Sequence, residues 1–268
     1  MSSSITPGRM PVLFVGHGNP MNAIEDNQWS RAFEDLAISL PTPKAIVAIS
    51  AHWYGQGTQV TGNVLPPTIH DFGGFPAELF AVEYPASGNP ELAAQIAQSL
   101  TKYGGTVSQA WGLDHGTWTV LRHLRPAADI PVLQLSIDYR LSPADILNIG
   151  VVLRELRHQG VLVLGSGNIT HNLGDVMARW GQANPQTPDW ALRFDTDIAA
   201  ALEQHDLQFL ATAVNAPDFR FAHPSPDHYL PLLYSSGAAD VEDTVSFPIT
   251  GFDLGSLSMR AALFSESK

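Results

Sequence analysis

Three apolar runs in this chain end on a histidine: 11–17 (PVLFVGH), 44–53 (KAIVAISAHW, carrying His52) and 161–171 (VLVLGSGNITH). Imidazole is the commonest metal ligand, and near neutrality it also takes or gives a proton. A single buried histidine is satisfied by a backbone carbonyl. Three on one plan, His17, His52 and His171, point to a metal centre. Histidine, aspartate and glutamate are the only protein ligands on offer, because no residue is cysteine; disulfides, Cys-ligated zinc and iron–sulfur clusters are excluded.

For these histidines to meet, the apolar runs must lie side by side. Ala45 to Ile49 show no polar alternation, as a strand covered on both faces requires. Further short strands are expected over 130–137 and 161–164, and edge or closing strands over 245–264. Between them, apolar residues at helical spacing predict helices over 28–40, 90–103, 117–124, 143–159 and 189–203, and one beginning near His228. Strand and helix in alternation predict an α/β fold: a single domain over 1–268, residues 1–10 flexible, with a central, largely parallel sheet flanked by helices. Such sheets gather ligands at the carboxyl ends of their strands, which is where the metal site is expected.

Composition narrows the chemistry. The formal net charge of −12 opposes a nucleic-acid partner. The lysines, Lys44, Lys102 and Lys268, do not follow a glycine, so the phosphate-cradling Gly-Lys-Ser/Thr loop is missing. No stretch approaches the roughly 18 to 20 apolar residues that span a bilayer, and the amino terminus has no apolar signal core, so no membrane association is expected and a cytoplasmic protein is. No helix face looks surplus to the core, which favours a monomer.

Location separates the remaining histidines. His158 lies at a helix end beside Arg154 and Arg157, and His123 and His205 read as solvated helix positions. His115, in GLDHGTW, stands at a predicted helix start, where the dipole disfavours its charged form. The long irregular segment 55–85 is expected to cover a substrate; it holds His70, Phe72 and Phe75. The GSG at 165–167 is a weak dinucleotide match, with Thr170 where a third glycine belongs. No G-x-S-x-G or H-E-x-x-H motif occurs.

In motif order, GHGNPMNAIEDN, AISAHWYG, PPTIHDFGGFP, GLDHGTW, PVLQLSID, GSGNITHNL and HPSPDHYLPLLY resemble the bacterial and plant 4,5-DOPA extradiol dioxygenase family. The resemblance spans about 11–264. This family belongs to the class III extradiol ring-cleaving dioxygenases, with the catalytic subunit of protocatechuate 4,5-dioxygenase. It implies one non-haem divalent metal per chain, Fe(II) for activity with Zn(II) as an alternative occupant, and cleavage of a catechol ring beside its hydroxyls with O2.

By motif position the resemblance makes His17, His52 and His228 metal ligands. It makes His171 the catalytic base and a candidate fourth ligand, and His115 the histidine that orients substrate and oxygen. Trp53, Phe72, Phe75 and Tyr229 are expected to shape an aromatic pocket, with His70 a substrate contact. Most class III enzymes hold iron with two histidines and a glutamate. Here His228, with Asp227 beside it, stands in the third position, and an all-imidazole set suits zinc as well as iron. A zinc hydrolase and a non-enzymatic binding protein, as in the Memo family, are the competing readings.

Overall fold

Strands made wholly of apolar and small residues need cover on both faces, and the computed structural model supplies it. It describes residues 9–182 and 185–266. Strands β1 (Val12–Gly16), β2 (Ala45–Ser50), β3 (Val132–Gln134) and β4 (Val161–Gly167) are buried at every residue and run parallel. The chain closes with β5 (Asp243–Ile249) and β6 (Ala261–Glu266), both antiparallel to their neighbours. The order across the sheet is β3-β2-β4-β1-β6-β5. The closing strands therefore do more than trim an edge: β6 lies between β1 and β5, so β1 has a partner on each side.

Alternate residues of each strand enter opposite layers, as the two-residue period requires. Val12, Phe14, Val47, Ile49 and Val163 face one layer, built on α2 (Pro90–Ser99), α4 (Pro143–Leu153), α5 (Asp189–Glu203) and α6 (Leu230–Ala238). Leu13, Val15, Ile46, Ala48 and Leu164 face the other, built on α1 (Gln28–Ser39) and α3 (His115–Leu124). The architecture is the expected single α/β domain with a mostly parallel central sheet flanked by helices.

Local signals set the helix starts. Asn27 and Ser142 close capping boxes, and Asn89 caps a helix whose first residue is Pro90. The helix expected over 143–159 is interrupted at Arg154, after which Glu155–His158 forms a separate turn. No helix among the described residues is long and apolar enough to cross a membrane.

Arg157, the neighbour of His158 at this helix end, is buried in an ion pair. Its side chain and that of Asp243 are fully buried, with Nη1 donating to Oδ2 at 2.6 Å and Nη2 to Oδ1 at 3.0 Å, while Nε donates to Met10 O at 2.6 Å. Burial alone would raise the Asp243 pKa, but the Arg157 hydrogen bonds outweigh it and lower it. The cluster ties the starts of β1, β4 and β5 together. Of the ten leading residues expected to be flexible, 1–8 lie outside the described residues; Arg9 and Met10 are held here, Arg9 Nη2 donating to Asp243 Oδ1 at 3.1 Å.

Removing one member of a buried pair strands the other, at about 3–5 kcal/mol. Asp243→Ala is expected to lower unfolding free energy by about that amount, read as a lower urea midpoint at unchanged slope.

Candidate metal centre

In the sheet order β4 separates β1 from β2. Strands lie roughly 4.8 Å apart, so the ends of β1 and β2 stand about 10 Å apart and two imidazoles leaning inward meet above the end of β4. His17 follows β1, and its N–H donates to Gly167 O at 3.0 Å. His52 follows β2, with its N–H donating to Ser50 Oγ at 3.2 Å. Their Nε2 atoms are 3.2 Å apart.

His228 arrives from outside the strands, on the turn Pro226–His228 ahead of α6. Gly167 admits it: a Cβ there would lie 2.2 Å from His228 O. The His228 ring centroid is 5.2 Å from that of His17 and 5.1 Å from that of His52. One ring nitrogen from each of the three lies within 4.8 Å of the others.

Hydrogen bonds behind the rings settle which nitrogen faces inward. Ser166 donates its one hydroxyl proton to Gly116 O at 2.5 Å, so its oxygen can only accept from His17 Nδ1, 3.0 Å away. His52 Nδ1 faces Asp71 Oδ2 at 3.1 Å, and His228 Nδ1 donates to Asp227, which also accepts from Ser225. Each Nδ1 thus carries a proton and each Nε2 presents a lone pair to the common centre. His228 Nε2 is buried without a hydrogen-bond partner. Inward lone pairs on three imidazoles, one of them orphaned, fit a divalent cation.

The electrostatics agree. Burial, then repulsion among neighbouring imidazoles, pushes His17 and His228 well below the ordinary histidine pKa. Burial also pulls His52 down, but the Asp71 hydrogen bond and the nearby carboxylates outweigh it and raise its pKa. In the metal-free protein, a proton on His52 Nε2 can bridge to His17; a cation takes the same place.

His115 opens α3, which Asp114 caps by accepting from Thr117 N. Its backbone N and Nδ1 both face Asp71 Oδ1 at 3.0 Å. Burial, then the charge of His52, lowers its pKa. The next residue must be small: a Cβ on Gly116 would lie 2.5 Å from Ser50 Oγ and 2.9 Å from His52 Cδ2. His171 follows β4 and stacks on His228, with centroids 3.4 Å apart and planes 3° from parallel. Burial, then the charge of His223, lowers it to about 3.

All five expected histidines line one cavity of about 520 Å³. Phe72 and Phe75 contribute aromatic lining, and Leu173, Met177 and Trp180 contribute exposed apolar side chains at its lip. Of the segment 55–85 only residues 71–75 line this cavity. Three expected substrate contacts are elsewhere. His70 turns away, with Nε2 donating to Val82 O at 2.9 Å. Trp53 stacks on Trp111 at 5.5 Å, and Tyr229 is fully buried with its hydroxyl donating to Leu210 O at 2.8 Å.

His123, expected in solvent, instead donates from Nε2 to Asn22 O at 2.8 Å. His158 is exposed as expected, and His205 is half-buried at a left-handed position, φ 52°, after α5. Asp71, Ser166 and Gly116 and the lip residues went unnoticed in the sequence. Ser166 had a signal, a hydroxyl at the end of an otherwise apolar strand. So did Leu173, Met177 and Trp180, apolar residues at helical spacing on the short helix Leu173–Ala178 and the turn after it.

The chain matches the family model described as the catalytic LigB subunit of aromatic ring-opening dioxygenase over residues 13–253. It is 45% identical to the 4,5-DOPA dioxygenase extradiol of Escherichia coli (strain K12), covering 94% of this chain and 93% of the relative. It is 35% identical to the protein of that name from Beta vulgaris, covering 95% and 96%. The crystal structure of an uncharacterized Escherichia coli K12 protein superposes with a TM-score of 0.81 at 39% identity, covering 95% of this chain and 99% of that one.

Ser166→Ala leaves His17 Nδ1 and Gly116 O without their partner and frees His17 to carry its proton on Nε2. Affinity of the metal-stripped protein for Zn(II) or Co(II), measured against a chromophoric chelator, is expected to fall about 10- to 100-fold.

Proposed function

This chain belongs to the LigB family of aromatic ring-opening dioxygenases and is an extradiol ring-cleaving enzyme, and from that premise we propose that it opens a DOPA-like catechol with O2 at one Fe(II) held by His17, His52 and His228. The observation that carries this reading is the set of inward Nε2 lone pairs at the floor of a cavity walled by aromatic and apolar side chains. Membership of the family displaces the zinc-hydrolase and binding-protein alternatives.

When bound, Fe(II) supplies the one-electron chemistry between catecholate and O2 that Zn(II) lacks. The protein's own groups bind and move protons. His171, kept neutral, takes a catechol hydroxyl proton as general base. It stacks on His228, beside the proposed ligands. His115, with its Nδ1 proton committed to Asp71, offers Nε2 as an acceptor first, orienting substrate and returning a proton only after receiving one. Phe72 and Trp180 flank the ring and exclude water.

Among the described residues, the cavity lining includes no lysine or arginine. It shares Asn19, Phe75 and Trp180 with an adjoining cavity of about 420 Å³, whose wall carries Glu25, Asn27 and Asp253. A ring substituent bearing an ammonium group finds complementary charge there, which favours an amino-bearing catechol. The proposal takes the enzyme as a monomer. With no disulfide to form, it places the enzyme in the cytoplasm.

Metal-stripped protein reconstituted anaerobically with Fe(II), then given O2 and DOPA, is expected to consume oxygen stoichiometrically and form a yellow semialdehyde. Zinc-loaded protein and His52→Ala are expected to do neither. The desamino analogue is expected to react about tenfold less efficiently, the ~1.5 kcal/mol of a charge-assisted hydrogen bond. No uptake with any catechol, alongside tight zinc retention, would sink the proposal.

A further inference from the structure

Asp71 touches both halves of the site. Oδ2 faces His52 Nδ1 at 3.1 Å, and Oδ1 faces both His115 Nδ1 and His115 N at 3.0 Å. A carboxylate only accepts, so both Nδ1 atoms carry the proton and both Nε2 atoms face the cavity as lone pairs. The rings are close, with centroids 3.8 Å apart. These bonds outweigh the burial that would raise the Asp71 pKa and hold it well below the usual carboxylate range. His52, Asp71 and His115 could by position hold a cation of their own. Hydrogen-bond spacing at each contact makes Asp71 instead an orienting carboxylate behind two imidazoles.

We infer that Asp71 is a positioning residue that fixes a metal-facing and a substrate-facing imidazole in one tautomer and ties both to the segment covering the cavity. The inference rests on the metal-centre reading above. Phe72 follows directly and packs edge-on to His115 at 5.4 Å between centroids. Gly73 and Gly74, next along, are exposed, and a Cβ on either would meet nothing. The covering segment is thus anchored at its Asp71 end by Asp71 and Phe72, and across the two glycines by Phe75, which packs edge-on to Phe72 at 5.4 Å. Asparagine at 71 puts an NH2 donor where one carboxylate oxygen stood, so it cannot receive both Nδ1 protons; one ring must move its proton to Nε2, onto the face where metal or substrate binds, and the other keeps only a neutral, weaker acceptor.

The test uses Asp71→Asn in the wild-type and His115→Ala backgrounds. Zn(II) affinity of metal-stripped protein is expected to fall about 10- to 100-fold in both backgrounds, because that effect runs through His52. Turnover at saturating Fe(II) is expected to fall in the wild-type background and to change little in His115→Ala, because that effect runs through His115. Imidazole 15N spectra of the zinc-loaded wild type should show Nδ1–H on both His52 and His115, and one Nε2–H in the variant.

Affinity within twofold of wild type, or additive losses of turnover, would overturn the inference. Should Asp71→Asn not fold, the wild-type spectra decide: Nε2–H on either ring rejects the role. A wild type that consumes no oxygen with any catechol refutes the catechol reading, while the affinity and tautomer results still judge Asp71.

Discussion

Lone pairs of several imidazoles turned toward one point repel one another, and only a proton or a cation between them relieves it. The structure around this centre exists to keep them turned inward despite that cost. Ser166, Asp71 and Asp227 each take an Nδ1 proton, and each is itself held: Ser166 by Gly116 O, Asp71 by a helix N-terminus, Asp227 by Ser225. Free to rotate or change tautomer, the same histidines would satisfy themselves on carbonyls, as His70 and His223 do.

The sheet order makes that arrangement accessible. With β4 between β1 and β2, His17 and His52 approach from two sides, and the middle strand needs only a hydroxyl and two glycines at its end. Ser166 pairs in register with Val15 on one side and Ser50 on the other, directly beneath the meeting rings. A bulkier end to β4 would fill the space into which His228 descends. The antiparallel β6 completes the pairing of β1, and the buried Arg157–Asp243 pair fixes the opposite ends of these strands. The catalytic ends thus stay open while the other ends are tied shut.

His17 and His52 were legible because a buried strand announces itself by its unbroken apolar run, and its exit is the next residue or two. His228 was not: it sits on a helical turn, and only the likeness of HPSPDHYLPLLY to a family motif singled it out. The misplaced contacts share one cause. Trp53 adjoins His52, Tyr229 adjoins His228, and His70 adjoins Asp71. Consecutive side chains point to opposite faces of extended chain and about 100° apart on a helix. At these three positions the neighbour of a site residue is directed away from the site, whereas Phe72, which also adjoins Asp71, lines the cavity. Asp71 was overlooked for another reason: its partners lie 19 and 44 positions away in the chain, so its own motif, PPTIHDFGGFP, does not show which rings it serves.

The lip makes the last link between structure and substrate class. Leu173, Met177 and Trp180 are 56%, 65% and 65% exposed, an unfavourable state for side chains of this size. They line the same cavity as Phe72 and Phe75, together with imidazoles that offer lone pairs and are backed by carboxylates. A molecule that satisfies both surfaces must have a flat apolar body and acidic hydroxyls on one edge. A sugar or phosphate ester would meet the floor but leave the lip wet, and an alkane would do the reverse. A catechol meets both, and the polar recess past Asn19 gives its substituent a place to go.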